Sequence, residues 1–101
     1  DEAEELQAQY HLGSWEDIQS NMAFAAGSGN ALGAVIFEWT DEWWKAYEPA
    51  IHDTKGLWSG PFPDGYMHEE WLGISGQGDG QQSPFLRQLR KAYYMYQKRW
   101  K

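Results

Sequence analysis

Glu38, Asp41 and Glu42 stand among Trp39, Trp43 and Trp44 in the run AVIFEWTDEWWKA, residues 34–46. Acids beside indoles suit sugar binding: a flat ring stacks on a sugar face while a carboxylate accepts from its hydroxyls. The same residues also suit a packed corner. A lone carboxylate in an apolar setting is costly, so Glu38 either pairs with neighbouring groups or meets a substrate hydroxyl. Side chains alternate along an extended segment, so Phe37 and Trp39 point away from Glu38. Asp41 and Glu42 suit the positive end of a helical turn as well as a ligand. Trp43 and Trp44 are adjacent and on a helix diverge by about 100°, so at most one serves as a sugar platform while the other packs. His52–Asp53 and His68–Glu69–Glu70 match no standard metal spacing, and GQGDG lacks the following acid of a calcium loop. No metal or cofactor is implied.

These side chains need elements to hold them. The chain has 101 residues, no cysteine and seven tryptophans, more than a small core needs. Net charge is −7, and six of the eight Lys and Arg fall within residues 87–101. That pattern argues against nucleic-acid binding, and no apolar run is long enough for a membrane span. Helix formers over 2–26 predict a helix, broken at 12–14 by Gly13 and restarted by the Ser14–Asp17 capping pattern. Gly27 offers its C-cap. The continuous apolar run at 34–39 predicts a strand buried on both faces, as in a parallel sheet. Residues 47–83 read as irregular, with three of the four prolines, seven of the eleven glycines and no sustained period, a pattern associated with function. Ser83 and Pro84 open a helix over 84–99 with Phe85, Leu86, Leu89, Ala92, Tyr93 and Tyr96 on one face. One strand cannot form a sheet, so the chain reads as a segment that borrows neighbours.

GAVIFEWTDEWWK, residues 33–45, resembles the last barrel strand of family 2-like glycoside hydrolases, the β-galactosidase and β-glucuronidase group. There the strand reads roughly Gly-Gly-Phe-(Ile/Val)-Trp-Asp-Trp-Val-Asp-Gln, and residues Gly33 to Glu42 fall on those places in turn. Phe37 stands where that family has a tryptophan and Glu38 where it has an aspartate. GPFPDGYMHEEWLGI is similar to the following loop and short strand, SPFLRQLRKAYYMYQ to the closing helix, and EELQAQYHLGSWEDIQSN to the preceding one.

The resemblance implies an α/β fold: residues 1–101 as the C-terminal α-β8-α8 fragment of a TIM (β/α)8 barrel, with 40–83 as the active-site loop. It implies a retaining β-glycoside hydrolase or β-glycan transglycosylase whose two carboxylates, about 5 Å apart, come from earlier strands. No catalytic residue then lies here, and the chain alone is expected to be inactive. Glu38, Trp39, Asp41, Glu42, Trp43 and Trp44 would bind substrate, joined by His68 and Glu70 from the loop. The implied partners are a β-glycoside carbohydrate and the rest of the barrel or other copies of the chain. A non-catalytic carbohydrate-binding or scaffold segment with tryptophan platforms is the competing expectation.

Overall fold

The acidic N-terminal sequence forms one continuous helix, α1, over Glu2–Ser20 in the computed structural model, which describes residues 2–24, 29–58, 60–78 and 87–101. The chain divides into two units, Asp1–Ile36 with Lys91–Lys101, and Phe37–Arg90. No helix among the described residues is long and apolar enough to cross a membrane.

In the first unit, α1 runs through Gly13 without a break. A mid-helix glycine costs only about 1 kcal/mol, and the Glu, Ala, Leu and Gln around it favour the helix. The second helix, α2, covers Lys91–Arg99 and buries Ala92 and Tyr96, one turn apart. Glu5 pairs with Lys91 at 2.8 Å, His11 shares a 3.0 Å hydrogen bond with the Tyr96 hydroxyl, and Glu16 pairs with Arg99 at 2.8 Å. These partners advance together, so α1 and α2 run in the same direction. Trp100 packs edge-on against Trp15 at 5.7 Å. The exposed ion pairs contribute little energy, which leaves the buried Ala92 and Tyr96 as the main packing between the helices.

In the second unit the stretch from Glu38 to Asp41 lies beside residues 73–75. The amides of Ile74 and Ser75 donate to the carbonyls of Glu38 and Trp39 at 2.9 and 3.0 Å, and Asp41 donates to Ser75 at 3.4 Å. Thr40 and Ser75 thus form a parallel bridge. Strand β1, Ser75–Gly76, pairs antiparallel with β2, Gln88–Leu89. Gly73 allows this close approach, since a Cβ there would lie 2.4 Å from the Asp41 nitrogen. Two 3-10 helices follow the site residues, Trp43–Ala46 and His68–Glu70, and the Glu42 amide ties them by donating to Glu69 at 2.9 Å. Trp43, Ala46 and Ile74 are the buried apolar residues among those described in this unit.

Among the described residues this small mixed fold has two α-helices, two 3-10 helices and a two-stranded antiparallel sheet, which overturns the expected α/β fold class and the α-β8-α8 barrel fragment. Residues 34–39 form no strand. Residues 34–37 have no paired neighbour among the described residues, and Val35 is 96% exposed. An extended segment becomes a strand only where its amides and carbonyls find partners, and here they do so from Glu38 onward. The expected helix over 84–99 begins at Lys91, because the Arg90 amide donates to the Ile74 carbonyl and residues 88–89 belong to β2. The expected caps at Gly27, Ser83 and Pro84, and the apolar residues Phe85 and Leu86, lie outside the described residues.

Candidate functional site

Exposure alternates along the site segment. Phe37 and Trp39 are exposed, Glu38 between them is buried, and the peptide joining Phe37 to Glu38 is cis. Burial drives the Glu38 carboxyl up to about 7, and the negative charges of Glu42, Asp41 and Glu69 push in the same direction. Lys45, partly in solvent, reaches Glu69 at 3.1 Å and Glu42 at 3.6 Å.

Asp41 is buried and held by a two-pronged ion pair with Arg90, at 2.6 and 2.7 Å, and by the Gly73 amide at 3.0 Å. Burial raises its pKa, against the pull of Arg90 and Gly73. Arg90 also donates to the Trp71 and Gly73 carbonyls at 2.8 and 2.5 Å, and Gln77 donates to the Asp41 carbonyl. The planar fork of the guanidinium suits this clamp, which fixes the 38–41 stretch against residues 71–76.

Glu70 is buried and accepts from the Asp53 amide at 3.0 Å; burial raises its pKa despite that bond. Burial pushes Asp53 upward, but backbone amides of residues 55–58 outweigh it and hold the carboxylate below its ordinary range. His52 lies flat against Trp43, with ring centres 5.2 Å apart, and meets Trp71 at 3.9 Å. Burial and then the Arg90 charge lower its pKa to about 4, so it is neutral at pH 7. The Asp53 loop also carries Trp58, whose ring stacks at 4.7 Å on Tyr47, and both rings are exposed.

The eight residues singled out from sequence divide by this geometry. Glu38, Asp41 and Glu42 come together with Glu69 as one acidic cluster. Trp39 and Trp44 present their rings to solvent, whereas Trp43 is fully buried and Glu70 is tied to the backbone. His68 pairs instead with Asp64 at 2.7 Å and stacks on Phe62 at 4.1 Å. Sequence reasoning missed Thr40, Ser75 and Arg90, and weighed His52 only as a metal ligand. Thr40 had a signal, since it shares Glu38's side of an extended segment by the two-residue period. Arg90 and Ser75, 49 and 37 positions beyond Asp41 and Glu38, had none.

Among the described residues, no group of three His, Cys, Asp or Glu side chains is placed to hold a metal ion. Comparison with family models, curated proteins and solved structures finds no match to this chain.

Proposed function

We propose that this chain is a carbohydrate-contacting segment of a β-glycoside-processing protein, a retaining hydrolase or transglycosylase, and that it supplies binding groups rather than the reacting pair. The observation that carries the reading is the pairing of solvent-facing indoles, Trp39 and Trp44, with an acidic cluster in the same short stretch. The resemblance of residues 33–42 to glycoside hydrolases of the family 2-like group supports it. The acidic cluster around Glu38 offers acceptors for sugar hydroxyls, and by the resemblance the reacting carboxylates lie outside this chain. The exposed Tyr47–Trp58 stack favours a second reading, a non-catalytic glycan-binding segment, in which that stack and Trp44 form the platform.

Titration of the chain with cello- and laminari-oligosaccharides, followed by tryptophan fluorescence, tests binding. Saturable quenching is expected, weakened about threefold to tenfold by Trp44→Ala, the worth of one stacking contact. No response to any β-linked glycan would remove both readings. Aryl β-glycosides should not be cleaved by the chain alone, and turnover lost on Glu38→Gln would place the reacting chemistry here after all.

A further inference from the structure

The parallel bridge sets the Thr40 and Ser75 side chains next to each other on one face of the paired segments. The two-residue period puts Glu38 on that face as well. Each side chain ends in a buried oxygen without a hydrogen-bond partner: Glu38 Oε1, Thr40 Oγ1 and Ser75 Oγ. Ser75 is fully buried and Glu38 is 8% exposed. An unpaired buried polar atom costs roughly 1–3 kcal/mol, so three on one face mark a place whose partners come from outside the chain. We propose that Glu38, Thr40 and Ser75 form a recess that receives adjacent hydroxyl groups of a sugar ring, an assignment that rests on the carbohydrate reading above.

The donor and acceptor inventory selects this ligand chemistry. Serine and threonine hydroxyls donate and accept, and so do sugar hydroxyls. An anion would meet the charges of Asp41, Glu42 and Glu69, which already act on Glu38. A hard cation needs more carboxylate oxygens than this face provides, and the described residues hold no metal-binding group. With its carboxyl pushed up to about 7, Glu38 is available near neutral pH both as a donor and as an acceptor. The neighbouring Glu42 carboxylate is partly exposed and, like Glu69, is paired with Lys45. Trp39 points to the opposite side, so the recess and that indole meet different parts of a glycan.

The test uses the whole chain and the variants Thr40→Val, Ser75→Ala and their combination. Calorimetric titration with cellobiose, laminaribiose and their longer oligomers gives affinity. Thermal melting without sugar reports whether the hydroxyls have structural partners. The double variant should lose at least tenfold in affinity, about 1.4 kcal/mol, with an unchanged or higher melting midpoint, because replacing an unpaired polar atom by an apolar one is neutral or stabilising. Parent-like sugar affinity in the double variant would overturn the recess while leaving the carbohydrate reading intact. Absence of sugar binding by the parent would remove both. A midpoint lowered by Ser75→Ala alone would show that the hydroxyl has a partner within the protein and would overturn the recess whatever the sugar affinity. So would stabilisation of the parent, but not the variants, by calcium chloride alone.

Discussion

Glu38 and His52 carry opposite proton linkages. The folded chain holds the Glu38 proton up to about pH 7, whereas an unfolded carboxyl releases it near 4.5. Between those values the folded state binds more protons, so this group's contribution to stability falls as pH rises through the window. A shift of that size corresponds to about 3 kcal/mol. His52 shifts the other way, from 6.5 to about 4. It withdraws stability as pH falls through that range, so the two slopes oppose each other over most of it. Glu38→Gln removes one slope. Relative to the parent, the variant should gain about 3 kcal/mol between pH 4 and pH 8 in urea unfolding. A pH-independent difference would mean that the carboxyl titrates normally. His52→Gln should leave the Glu38 loss unopposed, giving stability that declines from pH 4.5 to 7. The acids beside the indoles were legible in sequence as a cluster. Which of them would be buried was not, because that depends on Arg90 and on residues 69–75, all distant in the chain.

At the scale of elements, two glycines predict opposite outcomes. Gly13 sits within α1 with nothing near the place of a Cβ. Gly13→Ala should stabilise the helix by about 0.5–1 kcal/mol, read as a higher urea midpoint. Gly73 lies against the Thr40–Asp41 backbone, and a methyl there would collide with main-chain atoms that cannot rotate away. Gly73→Ala should cost about 1–3 kcal/mol, and loss of the Thr40–Ser75 bridge should appear as faster amide exchange at Ser75. Unchanged exchange would deny the close approach. The first helix was legible because its composition and acidic first turn are local properties, but it ends at Ser20 rather than at 26, and the break expected at Gly13 does not occur. The run at 34–39 misled for the reverse reason. Its apolar side chains state a preference for burial, while strand formation depends on a partner that only Glu38 to Asp41 obtain, from residues 73–75. The start of α2 was likewise set by a non-local bond, Arg90 to Ile74, against the helical pattern of the preceding residues.

At the scale of the molecule, the described residues expose many more large apolar side chains than they bury. The buried apolar set is Trp43, Ala46, Ile74, Ala92 and Tyr96, while Phe24, Leu32 and Val35 of the first unit lie almost wholly in water. So small a core offsets little of the conformational entropy that folding removes. Apolar side chains left in solvent at this density promote association. The acidic charge, −7 over the full chain, opposes close approach of copies, and salt screens that repulsion. Association of the isolated chain should therefore rise with both protein concentration and ionic strength. Analytical ultracentrifugation at 20 mM and 300 mM salt checks this, with Leu32→Thr combined with Val35→Thr as the variant. The parent should shift to larger species at the higher salt and bind an apolar dye, and the double variant should do less of both. Because both substituted residues are exposed, the variant should retain the parent's helix signal in circular dichroism. A parent that sediments as a monomer under every condition, without dye binding, would show that these side chains are covered within one chain.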